Sequence, residues 1–457
     1  MSDDVYIKLT GQTELVAGSH LHGGIVRLSR GKLLAALAGI CTAAPATAQT
    51  PLPDSLHVIY AARMLDVRQG RILPDVVVVI RGEKIESVLT GGARFKLPAG
   101  AKVTRLPASL TLLPGLIDAH THITWDPQSQ RNDPPGVTIP REPLIGAGVA
   151  RKTLQAGFTT VRSLGSTGFS DLALRDAIAD GLVPGPRVQA AVTGLGPPGG
   201  VCDTVFQHEG AVTGVEAAVA KVKALVAAGA DVIKLCAGGG VLPREDAAQA
   251  TELTEAELRA IAEEAHRQGR KVAAHAQGPE AIRRAVEAGV DSIEHGGLID
   301  EASVLLMKEK GTFLVPTLYR LDWTLANAEK NGAPAAALER LRRSRQLARE
   351  HVARAILLGV PVAFGTDATV YPHGLNAREF AVLVELGMTP LEAIRSATLN
   401  AAQLLGWEGK VGVIEPGAFA DLIGVEGNPL EDVKRLEKVI LVIKGGTTYN
   451  DEGGMAR

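Results

Sequence analysis

The sequence predicts an α/β protein, a (β/α)8 TIM barrel with a small flanking β-sandwich domain built from both chain ends. Between residues 112 and 405, eight short apolar runs alternate with amphipathic helical segments, and eight β/α units are typical of a TIM barrel. Short β-branched runs broken by glycine and proline lie outside this region, and such runs indicate antiparallel strands. They are residues 57–66, 76–81 and 84–89 near the start, and 420–425 and 438–444 near the end.

Composition narrows the class of protein. With 46% apolar and 21% charged residues, the 457-residue chain is neither a disordered protein nor a coiled coil. Its formal net charge of -2 leaves no basic excess for a nucleic-acid backbone. No interior apolar run is long enough to span a membrane. Three cysteines are too few for a disulfide framework or a thiolate zinc cluster, so any metal must be held by histidine, carboxylate or a less usual ligand.

The first 48 residues indicate a secretory signal with an upstream extension. Arg27, Arg30 and Lys32 precede an apolar stretch over residues 33–44, and small residues follow directly before Gln49. We therefore expect cleavage near Gln49 and a periplasmic or secreted protein. The predicted domains are then the first part of the sandwich over 49–111, the barrel over 112–405, and the second part of the sandwich over 406–457.

The barrel strands follow from the apolar runs. Helices separate them, and the segment 255–268, with Leu258, Ile261 and Ala265 on one face, is an example. In a TIM barrel, functional residues lie at the carboxyl ends of the strands. The predicted strands are residues 112–123, 159–164, 187–192, 231–237, 271–276, 292–296, 313–318 and 361–366.

Four histidines and a carboxylate lie at predicted strand ends. His120 and His122 are two residues apart on the first strand, so both side chains point to one face. His275 ends the fifth strand, His295 ends the sixth, and Asp367 follows the eighth. A histidine pair alone is equally consistent with hydrogen-bonded polar residues. Together, however, these residue types favour a first-row metal ion, with zinc as the default.

Lys234 lies near the end of the fourth predicted strand, among apolar residues. Burial lowers the pKa of an amine and favours the neutral form, which can react with carbon dioxide. The resulting carbamate is an anion with two oxygens, and it can bridge two metal ions. A lysine paired with a carboxylate at the barrel rim is the alternative.

These residues, in the order His-x-His, Lys, His, His, Asp on strands one, four, five, six and eight, resemble the amidohydrolase superfamily in its binuclear branch with a carboxylated lysine. Within it, the chain is most similar to imidazolonepropionase-like dipeptidases and carboxypeptidases, including prolidase-type and ochratoxin-type amide hydrolases. The resemblance covers about residues 57–444. It includes the segments 271–275, 292–297, 315–318, 365–367, 372–374 and 420–422.

The resemblance implies roles for these residues. His120, His122, Asp367 and carboxylated Lys234 hold one of two divalent ions, most simply Zn²⁺, and Lys234, His275 and His295 hold the other. Asp367 and His295 are the candidate catalytic residues, with Asp367 carrying the proton between a metal-bridging hydroxide and the leaving amine.

The implied enzyme is a zinc-dependent hydrolase of amide C–N bonds. It would release a C-terminal amino acid from dipeptides or N-acyl amino acids, including ochratoxin-like amides. Its partners would be a small-molecule or dipeptide substrate and further copies of itself in a homo-oligomer, without nucleic acid or a membrane span in the mature chain.

Three other interpretations compete with this one. Mononuclear deaminases and true imidazolonepropionases of the superfamily lack the bridging lysine. The deaminases also usually carry glutamate three residues after the fifth-strand histidine, where this chain has Gly278. A non-catalytic barrel scaffold normally loses ligands, whereas all six are present here. A hydrolase of cyclic amides or lactones with the same metal centre stays open.

Substrate specificity is expected from the loops after the strands. The segments 194–214 and 238–244 are candidate lids. Four residues are candidates to bind the substrate, and an arginine suits a free carboxylate. They are His208, Arg244, Tyr319 and His373, with Arg320 as a further guanidinium. Asp118 shares a strand face with His120. It could support a metal ligand, or it could make an ordinary structural hydrogen bond, and the sequence leaves both roles open.

Overall fold

The computed structural model describes residues 56–91, 95–129, 135–240 and 250–451. The predicted secretory segment and Arg244 lie outside these residues. The strands in chain order are β1 Leu56–Asp66, β2 Arg71–Arg81, β3 Lys84–Leu89, β4 Lys102–Arg105, β5 Leu110–Pro114, β6 Leu116–Thr121, β7 Phe158–Ser163, β8 Arg187–Ala190, β9 Gly194–Leu195, β10 Val232–Cys236, β11 Lys271–Ala276, β12 Ser292–His295, β13 Phe313–Val315, β14 Leu422–Glu426, β15 Val439–Lys444 and β16 Thr447–Asp451.

Helices connect most of the strands in the middle of the chain. They are α1 Pro135–Gln155, α2 Ser170–Ala179, α3 Val201–Val205, α4 Val215–Ala228, α5 Glu255–Arg267, α6 Pro279–Glu287, α7 Glu301–Lys310, α8 Tyr319–Lys330, α9 Ala335–Leu357, α10 Arg378–Glu385, α11 Pro390–Arg395 and α12 Ala401–Leu404. Within the described part of the chain, no helix is both long and apolar enough to cross a membrane.

Strands from the two ends of the described chain pair in one sheet. Its order is β16-β15-β14-β5-β1-β2-β3, and β4 pairs with β1 outside this path. β14 lies antiparallel to β5, with Leu422 opposite Pro114. On β2, the alternate residues Val78 and Ile80 are fully buried. One face of the sheet therefore packs in the main hydrophobic core.

The middle of the chain forms two parallel sheets, which confirms the predicted α/β class. One has the order β6-β7-β8 and the other β13-β12-β11-β10-β9. The central strands are buried on both faces, with Ile233, Val272 and Ile293 fully inaccessible. This explains why they are continuous apolar runs in the sequence.

Residues 361–368 lie between the two parallel sheets. Val362 forms a parallel bridge with Leu314 of β13, and Ala368 forms one with Thr121 of β6. The Ala119 N–H donates to the Phe364 carbonyl at 2.8 Å. The segment predicted as the eighth strand thus bonds to neighbours on both sides, but only through isolated bridges.

The strand predicted over residues 112–123 is two strands in two sheets. β5 ends at Pro114 and pairs with β14, whereas β6 begins at Leu116 and pairs with β7. Between them, the Gly115 N–H donates to the Asp421 carbonyl at 2.8 Å. The Pro114-Gly115 pair marks this break in the sequence, but the buried residues on either side do not reveal that the two strands pair in different sheets.

Candidate metal centre

All six predicted metal ligands line one cavity at the carboxyl ends of the parallel strands. The cavity has a volume of about 290 Å³. Four of the ligands lie on strands, one each on β6, β10, β11 and β12. Of the other two, His122 directly follows β6 and Asp367 follows the eighth apolar run. The six are His120, His122, Lys234, His275, His295 and Asp367.

Three of these residues form a compact group that can hold a metal ion. The Asp367 Oδ1 atom lies 3.6 Å from His120 Nε2 and 3.7 Å from His122 Nε2. The ligand atoms of the three residues all lie within 4.8 Å of one another. Ligands about 2 Å from a tetrahedral ion are separated by about 3.3 Å, so only a small contraction is needed.

The other two histidines lie beside this group. The His295 ring centroid is 4.9 Å from that of His120 and 4.7 Å from that of His275. His275 Nε2 is 3.4 Å from the Gly239 carbonyl oxygen. The four imidazoles therefore form one cluster, with Lys234 in the same cavity wall.

Hydrogen bonds at Nδ1 orient three of the imidazoles. His120 Nδ1 contacts Glu294 Oε2 at 2.7 Å, and His122 Nδ1 contacts the Gly165 carbonyl at 2.9 Å. His295 Nδ1 contacts Thr317 Oγ1 at 2.7 Å. Because Nδ1 is engaged, the lone pair of Nε2 is left for the cavity, as in most metal-binding histidines.

Burial also sets the protonation state of the ligands. It lowers the pKa of His122 to about 4 and that of His275 to about 3, and it lowers the pKa of His120 and His295 as well. These imidazoles are neutral at neutral pH, which is the form that binds metal. Burial lowers the pKa of Lys234 to about 8.

Asp367 keeps its charge in this buried setting. Burial raises its pKa, but neighbouring groups, among them His120 and Arg320, lower it overall. Arg320 Nε lies 3.6 Å from Asp367 Oδ2, on the side away from the histidine nitrogens. A neutral imidazole set with one carboxylate is a donor set that fits a divalent first-row ion.

Glu294 and Arg162 support the centre and were not found by sequence reasoning. Both side chains are buried, and Arg162 Nη2 donates to Glu294 Oε1 at 2.8 Å. The other carboxylate oxygen holds His120. Burial raises the pKa of Glu294, but Arg162 and His120 outweigh it and lower that pKa to about 2. The sequence did offer one signal for Arg162 and Glu294, because each is a charged residue within an otherwise buried parallel strand.

Several residues of the site have a left-handed backbone. His295 has φ 73°, Thr317 has φ 51° and Asp367 has φ 57°. This region is sparsely populated by residues other than glycine, and such conformations concentrate at functional sites. Of the three, His295 and Asp367 line the cavity, and Thr317 contacts His295 Nδ1.

Asp118 joins the ends of two strands. Its carboxylate accepts hydrogen bonds from the His120 N–H at 3.1 Å, from Thr366 Oγ1 at 2.6 Å and from Asn376 Nδ2 at 2.9 Å. Burial raises its pKa to about 7. Asp118 therefore supports the backbone at His120 and the turn before Asp367, and it does not contact the His120 ring.

The predicted substrate-binding residues are less closely grouped. His208 is exposed and pairs with Asp203 at 2.7 Å, while the Tyr319 hydroxyl accepts from Arg378 at 2.8 Å. His373 is buried, and its Nδ1 contacts Thr153 Oγ1 at 3.2 Å. None of these three lines the 290 Å³ cavity, and Arg244 lies outside the described residues. The buried Arg320, by contrast, reaches Asp367.

A disulfide also lines the cavity, beside the ligands. Cys202 of α3 is bonded to Cys236, which ends β10 two residues after Lys234. The cysteine count correctly argued against a disulfide framework, but it gave no signal for this single bond, whose cysteines are 34 residues apart. The Trp125 ring stacks on His122 with centroids 4.8 Å apart.

Known proteins resemble the chain over most of its length. The profile of the amidohydrolase family matches residues 111–449. The ochratoxinase of Aspergillus niger is 35% identical over 434 residues, covering 87% of each chain.

Two solved structures are similar in fold and sequence. A Xaa-Pro dipeptidase with methionine bound in its active site has a TM-score of 0.79 and 35% identity, covering 87% of this chain and all 100% of its own. A prolidase in complex with N-methylphosphonate-L-proline has a TM-score of 0.76 and 33% identity, covering 86% of this chain and 99% of its own.

Proposed function

Because this chain belongs to the amidohydrolase family, we propose that it is a binuclear metal-dependent amide hydrolase that releases a C-terminal amino acid from dipeptides or N-acyl amino acids. The observation that carries the proposal is the convergence of His120, His122, Lys234 and three further ligand candidates on one small cavity. The names of the relatives favour the same chemistry, since they include a Xaa-Pro dipeptidase, a prolidase and an ochratoxinase.

We assign the ligands to two sites. His120, His122 and Asp367 hold one ion, His275 and His295 hold the other, and Lys234 contributes to both. Nitrogen and oxygen donors without thiolate suit Zn²⁺. When bound, two such ions supply an acidified water as the nucleophile and a Lewis acid for the scissile carbonyl.

Lys234 serves both sites as a carbamate. Its amine is buried at 3% exposure, and the lowered pKa of about 8 makes the neutral fraction near neutral pH much larger than in an ordinary lysine, although it is still the minority. The neutral Nζ forms an N–C bond to carbon dioxide and loses one proton. The product carries a negative charge, so a side chain that would repel cations becomes one that binds them.

Asp367 moves the proton. Its Oδ1 atom faces the histidine nitrogens, and Oδ2 faces Arg320. We propose that the carboxylate takes the proton of the nucleophile at Oδ2 and delivers it to the leaving nitrogen. Arg320 favours the ionised form of Asp367 before each transfer, and His295 would help to hold the ion that polarises the scissile carbonyl.

The finer architecture is part of the proposal. We infer that the two parallel sheets close into one (β/α)8 barrel through residues 361–368, which bridge to both β13 and β6. The sheet built from both chain ends is then the flanking domain, with part boundaries at 49–111 and 406–457. We also retain export from the cytoplasm and a homo-oligomer as proposals.

The direct test is a substrate panel with purified, zinc-loaded protein. We expect ninhydrin-detected release of amino acids from Xaa-Pro, Xaa-Arg, Xaa-Phe or N-acyl amino acid libraries. Lys234→Ala should abolish the activity, and the matched change Lys223→Ala, at an exposed position of α4, should leave it intact. Hydrolysis of cyclic amides or lactones without any dipeptide would replace the proposed substrate class.

A further inference from the structure

One side of the metal cavity is apolar. Val205 lies on it at the end of α3 with 46% of its surface exposed, an unusual exposure for a large hydrophobic residue in this chain. Trp125 and Phe206 stack beside it, with ring centroids 5.6 Å apart. We call this side the apolar wall, and it comprises Trp125, Val201, Val205, Phe206, Val370 and the Cys202–Cys236 disulfide.

The apolar wall is tightly anchored. A side chain at Gly165 or Gly194 would place its Cβ 2.5 or 2.6 Å from Phe206 ring atoms, so the ring is fitted between two backbones. The disulfide joins α3 to β10, and both sulfurs are buried. The wall is therefore fixed relative to Lys234, two residues before Cys236.

Charge on this side of the cavity is limited to the ligands. Among the described lining residues, the polar side chains besides the six candidate ligands are Thr369 and Trp125, whose indole hydrogen-bonds Glu142. The Thr369 hydroxyl is buried without a hydrogen-bond partner. Inside the metal cavity, a charged side chain placed against the apolar wall would lose its hydration and find no counter-ion in the wall itself, which is unfavourable.

We propose that the apolar wall is a specificity subsite for an apolar side chain, best an aromatic one, beside the scissile amide. This inference rests on the proposed amide hydrolysis and adds the substrate class. A flat ring gains contact with Trp125 and Val205, and aromatic pairs gain attraction beyond burial alone. The disulfide stabilises the subsite by holding α3 against β10.

The test uses two dipeptide series, Xaa-Ala and Ala-Xaa, with Xaa as Phe, Leu, Ala, Ser or Lys. We expect one series to show kcat/KM at least about tenfold higher for Phe than for Ala. Val205→Thr keeps the shape and replaces a methyl by a hydroxyl, and it should lower that Phe-to-Ala ratio about threefold, mainly through KM. Phe206→Ala and the Cys202→Ser/Cys236→Ser double variant should lower it further.

Controls separate this inference from the proposed function. Leu182→Ala, at a residue with 75% exposure, should keep the ratio, and metal content should be equal in all variants. Equal loss on every substrate, or a flat series, would overturn the subsite while amide hydrolysis stands. A preference for Lys would contradict the apolar subsite. It would indicate that the side chain binds instead in the neighbouring cavity of about 270 Å³, which Asp126 and Glu142 line. No hydrolysis in either series, together with none in the Xaa-Pro, Xaa-Arg and N-acyl amino acid libraries, would instead overturn the proposed function.

Discussion

At the scale of residues, the centre depends on groups behind the ligands. Glu294 links a buried guanidinium to His120, so one carboxylate both orients an imidazole and neutralises Arg162. Removing its charge leaves Arg162 unpaired at 1% exposure. Breaking a buried pair from one side costs about 3 to 5 kcal/mol, far more than losing an exposed pair.

We therefore expect Glu294→Gln to weaken metal affinity about 10- to 100-fold and to lower the free energy of unfolding by several kcal/mol, roughly 3 to 5. Chelator competition and urea unfolding of the apo protein measure the two effects separately. Glu264→Gln is the matched control, because its partner Arg267 is 64% exposed. An unchanged metal affinity in Glu294→Gln would show that His120 does not need this partner.

Asp367 has a different signature, since it is assigned both as ligand and as base. Asp367→Asn keeps an oxygen that can coordinate and loses the proton transfer. We expect most of the metal to remain and kcat to fall about 10²- to 10⁴-fold. Elemental analysis beside steady-state kinetics checks this. Wild-type turnover with both ions bound would remove the shuttle role.

The residues of the candidate site were predictable to different degrees. The ligand types stand out because histidine and lysine are rare at the ends of apolar strands, and strand order places them together. Glu294 and Arg162 were visible as charges in such strands, but their pairing is a long-range contact. The disulfide was hidden for the same reason, because sequence separation does not reveal which cysteines meet.

At the scale of elements, a buried carboxylate of α10 caps the start of α8. Glu379 accepts hydrogen bonds from the Leu318 and Tyr319 N–H groups at 2.8 and 2.6 Å. Burial nevertheless raises its pKa from 4.5 to about 7. The folded state thus holds this proton more tightly than the unfolded state. The corresponding stabilisation is complete below about pH 4.5 and is lost as the pH rises towards 7.

We expect the difference in unfolding free energy between wild type and Glu379→Gln to decrease as pH rises from 4.5 to 7.5, because glutamine does not titrate. Urea unfolding at four pH values across this window measures it. Glu392→Gln is the control, since hydrogen bonds from Thr389 lower the pKa of Glu392 and its contribution should not decline over the same range. A constant Glu379 difference would contradict the burial argument.

The hydrophobic pattern of the sequence predicts some strand boundaries correctly and not others. β3 lies where the alternation and flanking turns predicted it, over residues 84–89. The run over 112–123 instead divides at Pro114 and Gly115, and burial on both faces does not reveal which sheet each half joins. The eighth apolar run bridges to neighbours on both sides but does not form a regular strand. Hydrophobicity could not predict this, because it depends on the local backbone geometry.

At the scale of the whole molecule, an ion pair joins the parallel sheet to the sheet made from the chain ends. Arg187 begins β8, and its Nε donates to Asp421 Oδ2 at 2.9 Å, just before β14. Asp421 is 1% exposed and also accepts the Gly445 N–H at 2.8 Å. The buried Asp421 carboxylate therefore accepts hydrogen bonds both from Arg187 of the parallel sheet and from Gly445, which follows β15 of the other sheet.

We expect Asp421→Asn to lower the free energy of unfolding by about 2 to 4 kcal/mol without changing metal content. Arg68→Gln breaks an exposed pair with Glu415 and should cost less than about 1 kcal/mol. Thermal and urea unfolding compare the two variants. Equal effects would mean that the buried pair does not stabilise the contact between the sheets.

The number of metal ions per chain tests the central claim most directly. Elemental analysis of fully active enzyme, after removal of loosely bound metal, should give two divalent ions per chain, because six ligands including a carboxylated Lys234 serve two sites. A reproducible value near one ion per chain at full activity would contradict the binuclear centre and replace it with a mononuclear one.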